Sequence, residues 1–216
     1  MDGFLTAEET AFRRAARDYF RRGGVRARPE GPEDLERMWR DLEGAVRPET
    51  AAARACGGPA GRVAVVDAAA ESDPMLGSAL LGWYAGSGRP GPHEGPLCGY
   101  GRVAGTAARV FEAGSAAARA GGAFSSSLMG CREVQERLAG LVSGAAWLRL
   151  ATLRVCRLLE RGEPELARAE SSRLRAPAQA LARDVRSAAL ALLGEPWVEA
   201  NLPPDDLPSD DERKEP

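Results

Sequence analysis

Histidine is almost missing from this chain: His93 is the only one in 216 residues. Cysteine is sparse, and Cys56, Cys98, Cys131 and Cys156 lie far apart with no Cys-x-x-Cys pair. A zinc site needs clustered thiolates or imidazoles, so these residues carry no metal motif, and the cysteines read as free thiols in a reducing compartment. Lysine is equally scarce, since all but one of the 29 basic residues are arginine. With 31 acidic residues the net charge is −2, which argues against a nucleic-acid or membrane-surface protein. No uninterrupted apolar run approaches the roughly 18 residues of a membrane span. The opening MDGFLTAEE is acidic and has no apolar core of signal-peptide length. The expected location is therefore cytoplasmic. Strand-period alternation is also absent, which excludes a sheet-rich fold.

What remains is helical periodicity. Thr6-Ala7-Glu8-Glu9 reads as a capping box, and the helix after it carries Phe12, Ala15, Ala16, Tyr19 and Phe20 on one stripe. Arg13, Arg14, Arg17, Arg21 and Arg22 fall off that stripe and read as a solvated face. Gly23-Gly24 ends it. Pro32 opens a second helix whose buried face is Leu35, Met38, Trp39 and Leu42. Pro48 to Gly61 reads as a turn and loop, and its CGGPAGR lacks the Lys-Ser/Thr of a phosphate-cradling loop. Val63–Glu71 is expected to be helical, although Val63-Ala64-Val65-Val66 alone would also suit a strand. Asp73-Pro74 caps a further helix.

Residues 86–99, GSGRPGPHEGPLCG, hold five Gly and three Pro and read as a linker. It separates an N-terminal helical part, 1–85, from a C-terminal bundle, 100–199. A helix with Val103, Ala107, Val110 and Phe111 on one face comes first. A long one follows, with Val134, Leu138, Leu141, Ala145, Leu148, Val155 and Leu159 at helical spacing. The last helix, to Leu193, contains Pro177, which is expected to kink or break it. Residues 200–216 are Pro- and Asp-rich and are expected to be a disordered acidic tail. Trp147, Leu148, Leu150 and Leu153 put apolar groups on more than one face of the long helix, which is the pattern of an interface.

The stretch FSSSLMGCREVQERLA, Phe124 to Ala139, places an aromatic at fixed offsets from Leu128, Val134, Gln135, Leu138 and Ala139. That frame resembles the C-terminal helical domain of acyl-CoA dehydrogenases, whose pattern is Arg-x-x-Phe-Gly, then Gln-x-hydrophobic-Gln-x-x-Leu-Ala. Leu5-Thr6-Ala7-Glu8-Glu9 and Asp73-Pro74-Met75-Leu76-Gly77 are similar to motifs of that family's N-terminal helical domain. In the C-terminal half, Gly105, Ala107, Arg149, Arg154, Gly194, Trp197 and Glu199 continue the likeness. The resemblance implies an all-α helical bundle without the family's middle β domain, for which 86–99 leaves no room.

It also implies where flavin would lie. Phe124, Arg132 and Gln135 are the candidate cofactor-binding positions, with Arg132 a replacement for the guanidinium that the family places at what is Gly121 here. Ser125 stands where the family has Gly, and Glu195 puts a carboxylate where a Gly would face the diphosphate. The family's catalytic Glu has no counterpart beyond Glu195. Glu94, beside His93, is one residue off an alternative position and reads as a solvated loop acid. The implied function is a dehydrogenase-like protein without independent catalysis. It would bind no cofactor alone and take FAD only in a complex. It would associate with itself or with a full acyl-CoA dehydrogenase. Completion of a shared FAD site, or service as a helical scaffold, are the alternatives.

Overall fold

The computed structural model describes residues 7–22, 31–46, 58–86, 94–120 and 128–203. The described residues are all-helical, with no strand among them. The helices are α1 (Ala7–Arg21), α2 (Pro32–Val46), α3 (Pro59–Ser72), α4 (Pro74–Gly86), α5 (Glu94–Ala120), α6 (Arg132–Glu160), α7 (Pro164–Leu193) and α8 (Glu195–Asn201), with a 3-10 turn at Leu128–Gly130.

The centre of the molecule is α3. Pro59 begins it at a position where the missing N–H costs nothing, and from Val63 to Glu71 every residue is buried. A helix without a polar face is stable only when neighbours cover all of it. Two cores meet on it. Phe12, Ala16 and Phe20 of α1, Leu35 and Met38 of α2, and Leu76, Leu80 and Tyr84 of α4 pack around Ala64, Val65, Ala68 and Ala69. Ala60, Val63 and Val66 join a larger core built from α5, α6 and α7. The Val63-Ala64-Val65-Val66 run, ambiguous by pattern alone, is thus helical because the covering elements are helices on several sides.

The closest packing partner of α3 is α5. Gly101 and Gly105 lie four apart on α5 and bring its backbone against α3: a Cβ on Gly101 would sit 3.0 Å from the Val63 carbonyl oxygen, and one on Gly105 would collide with the Asp67 carbonyl oxygen. Asp73 serves both neighbouring helices. Its N–H donates to the Ala69 carbonyl to close α3, and its Oδ1 accepts from the Met75 N–H at 2.9 Å to open α4.

Helices α6 and α7 form an antiparallel hairpin through a tight turn. The Gly162 N–H donates to the Leu159 carbonyl and the Glu163 N–H to the Leu158 carbonyl, a Schellman closure with Gly162 at φ +75°. By length and composition α6 is long and apolar enough to cross a membrane. About a third of its most apolar stretch is buried in this fold, with Leu138, Leu141, Ala145, Leu148 and Val155 packed inward.

Three expectations change. Glu94–Gly99, read as linker, forms the first turns of α5, because the Gly/Pro density falls off after Pro96 and the apolar Leu97, Cys98 and Tyr100 bury in the core. Pro59–Gly61, read as loop, opens α3. Of the kink or break expected at Pro177, the break does not occur: helix α7 continues through it. Pro177 itself is exposed. The Thr6 cap, the side chains of Trp39 and Leu42, and residues 204–216 lie outside the described residues.

The α3–α5 contact predicts opposite outcomes for two helical glycines. Gly105→Ala forces backbones apart and is expected to destabilise by about 2 kcal/mol or more. Gly82→Ala in α4, where an added Cβ meets nothing within 4 Å, is expected to stabilise by about 0.5–1 kcal/mol. Chemical denaturation of the two variants checks both signs.

Candidate functional site

Two carboxylates sit inside this apolar centre. Asp67 and Glu71 are one helical turn apart on α3, and each is 3% exposed. A buried carboxylate is costly unless paired and hydrogen-bonded. Here the partners come from both sides. From α6, Arg149 Nε donates to both oxygens of Asp67 at 3.0 Å, and Nη2 donates to Oδ1 at 2.7 Å and Glu71 Oε2 at 3.4 Å. From α1, Arg13 Nη2 reaches Asp67 Oδ2 at 2.9 Å, and Arg17 and Arg21 both contact Glu71 Oε1. Arg21 also meets Glu112 of α5 at 2.7 Å.

The spacing explains the match. Arg13, Arg17 and Arg21 recur every fourth residue along α1, beside its Phe12–Ala16–Phe20 stripe, and Asp67 and Glu71 repeat at the same interval on α3. Arg149 is almost fully buried. Burial would lower its pKa, but the Asp67 charge and hydrogen bonds, with the Glu71 charge, outweigh that and raise it. These four guanidiniums face three carboxylates and tie α1, α3, α5 and α6 together. The reading of Arg13, Arg17 and Arg21 as a solvated face is therefore corrected: Arg13 is largely buried, and Arg17 and Arg21, though partly exposed, reach the Glu71 carboxylate that α3 presents. The signal was present in the sequence, since two acids four apart inside VAVVDAAAES require cations from elsewhere.

The positions singled out from the sequence do not converge. Phe124 lies outside the described residues, as do Gly121 and Ser125. Arg132 projects from the start of α6 with its side chain 90% exposed and pairs with Glu136 at 2.7 Å. Gln135 Nε2 donates to the Met129 carbonyl at 2.7 Å and fastens the 3-10 turn to α6. Glu94 is neither loop nor solvated. It opens α5 with its side chain largely buried, in ion-pair contact with Arg62 of α3 at 3.2 Å, without a directed hydrogen bond. A carboxylate at that end of a helix also meets the positive end of its dipole. Arg62 lies over the Tyr84 ring, 5.9 Å from its centre.

Cys98 and Cys156 are buried and free in the larger core. Burial, with the nearby Glu94 charge, pushes the Cys98 thiol up to about 12, and burial likewise raises Cys156. Both stay protonated and unreactive at neutral pH. Among the described residues no group of three His, Cys, Asp or Glu could hold a metal.

A shallow cleft lies between α5 and α7 beside Leu202 and Pro203. It is lined by Arg102, Thr106, Val103, Ala182, Val185 and Arg186 and offers about 30 Å³ of space, room for a few water molecules. Among the described residues the exposed large apolar side chains are Leu128 of the 3-10 turn, Val142 and Trp147 of α6, and Leu166 and Leu190 of α7, with Trp147 exposed by half. Leu150 and Leu153 are partly buried, and Leu153 packs on the core. No family model, curated protein or solved structure matches the chain.

The ion network predicts a graded response. Arg149→Met strands Asp67 and Glu71 with fewer partners and is expected to cost about 3–5 kcal/mol in denaturant unfolding. Arg132→Met, which breaks only an exposed pair, is expected to change stability by about 0.5 kcal/mol or less.

Proposed function

We propose that the chain is a non-catalytic helical protein, similar to the helical parts of acyl-CoA dehydrogenases, that works by associating with a full flavin-dependent acyl-CoA dehydrogenase. The family likeness rests on the sequence frame from Val103 to Glu199. The observation that carries the association is the outer side of α6. Its inner side is occupied by α5 and α7, while Trp147 remains half-exposed on the surface. An exposed indole removes little from water unless a partner covers it, and aromatic anchors of this kind concentrate binding energy at interfaces. The related dehydrogenases associate through the corresponding bundle.

The chemistry in hand fits a non-catalytic role. A general base must be within reach of substrate and free to accept a proton. Asp67 and Glu71 are enclosed and held by guanidiniums, and Glu94 is engaged with Arg62. One observation favours a second reading, in which the chain completes a flavin site across the interface. Arg132, at the start of α6, holds a nearly fully exposed guanidinium, a group suited to a diphosphate on a neighbouring subunit.

The purified chain is expected to be colourless and unable to reduce an electron acceptor with any acyl-CoA. In native extract it is expected to co-purify with a dehydrogenase, and Trp147→Glu is expected to weaken that association at least tenfold with an unchanged far-ultraviolet circular dichroism spectrum. Flavin bound at stoichiometric level to the isolated chain would overturn the proposal, as would a monomer by light scattering that recovers no dehydrogenase. Flavin present only in the complex, and lost with Arg132→Ala, would select the second reading.

A further inference from the structure

The outer strip of α6 is complementary to its own reversal, in size and in charge. Successive helical residues turn by about 100°, so Glu136, Gly140, Ser143, Trp147, Leu150 and Arg154 fall on one strip, away from Arg149. All but Leu150, which is partly buried, are exposed. The strip changes character at the level of Ala145. Before it the residues are small: Ser143, and Gly140, where an added Cβ would meet nothing within 4 Å. After it stand Trp147, exposed by half, and Leu150. The spacing is symmetric. Ser143 and Trp147 lie two residues from Ala145, Gly140 and Leu150 five, and Glu136 and Arg154 nine. Both charged ends reach solvent. The Glu136 side chain is 62% exposed and pairs with the exposed Arg132, and that of Arg154 is 72% exposed and meets Glu170 at 3.9 Å.

We propose that this strip is the contact of a two-fold homodimer, in which α6 packs antiparallel against α6 of a second copy. A two-fold axis at the level of Ala145 sets Trp147 over the partner's Ser143, Leu150 over the partner's Gly140 and Arg154 opposite the partner's Glu136. Symmetry makes each of these contacts twice. Large groups over small ones let two helices approach and interlock, and the ends join opposite charges. The register is specific. Sliding one helix by a turn in one direction sets the two indoles against each other, and in the other direction sets Arg154 against the partner's Arg132. The proposal rests on the reading of the outer side of α6 as an interface, and it names a second copy of the chain as what covers that side in the isolated protein.

The test is sedimentation equilibrium of the purified full chain and of two charge-reversed variants, Glu136→Arg and Arg154→Glu. The unmodified chain is expected to be a dimer at tens of micromolar. Each variant alone sets like charges together at both ends of the contact and is expected to weaken self-association roughly tenfold. An equimolar mixture of the two variants is expected to regain the affinity of the unmodified chain, because both end contacts again join opposite charges. Damage within either protomer would not be repaired by mixing, so the recovery is specific to this antiparallel register. A monomer at tens of micromolar overturns the proposal, as does a dimer indifferent to both substitutions or a loss that mixing does not restore. A chain that is monomeric alone yet captures a dehydrogenase overturns this proposal and leaves the functional one standing. A dimer that responds to the variants as expected but captures no dehydrogenase does the reverse.

Discussion

Two buried carboxylates on one apolar helix set the terms for the whole fold. Asp67 and Glu71 would be prohibitive in an apolar centre by themselves. Three helices deliver guanidiniums or close backbone contact to the face that bears them. Arg149 commits α6 to a particular rotation, because its fork meets both oxygens of Asp67. Arg13, Arg17 and Arg21 commit α1 to a particular register, since a slip of one residue would swing the cations away from α3. A buried ion pair adds less net stability than an apolar replacement of the same shape often does. Its contribution here is to make wrong arrangements of the helices costly.

The same helix explains why the molecule has two cores and no wide gap between them. Small residues let α3 be covered from several directions: Gly101 and Gly105 bring α5 to it, and its own alanines admit α1 and α4. This leaves α6 and α7 as a hairpin laid against the other side of α5. Their inner faces are filled, and their outer faces carry arginines, small residues and a few large apolar groups. The proposed association uses Trp147, which lies two residues from Arg149 and so points to the other side of α6 from the ion network. One positions the helix, and the other is what the helix presents.

Much of the fold was legible from periodicity. The α5 and α6 faces named from Val103, Ala107 and Val110 and from Leu138, Leu141, Ala145 and Leu148 are faces that bury. Gly162 ends α6 as its flexible backbone suggests. Glycine and proline density misled at two places, Glu94–Gly99 and Pro59–Gly61, because tertiary burial of Leu97, Cys98 and Ala60 outweighs weak local propensity. The charge network was missed because helix reading asks which residues share a face of one helix. Arg13 and Asp67 are 54 positions apart, and their match shows only when two helices are laid side by side. Of the positions chosen through the family likeness, Arg132 and Gln135 lie at the start of α6, while Glu94 anchors another helix.

The central claim is that Asp67 and Glu71 lock α1 onto the bundle. Native-state hydrogen exchange on the unmodified chain and Glu71→Gln tests it most directly. In the unmodified chain, α1 amides should exchange only with opening of the whole structure. In Glu71→Gln, which removes the charge that Arg17 and Arg21 share, the α1 amides should lose protection by at least tenfold relative to those of α6 and α7. Equal protection of α1 in the two proteins, measured against α6 and α7, would contradict it.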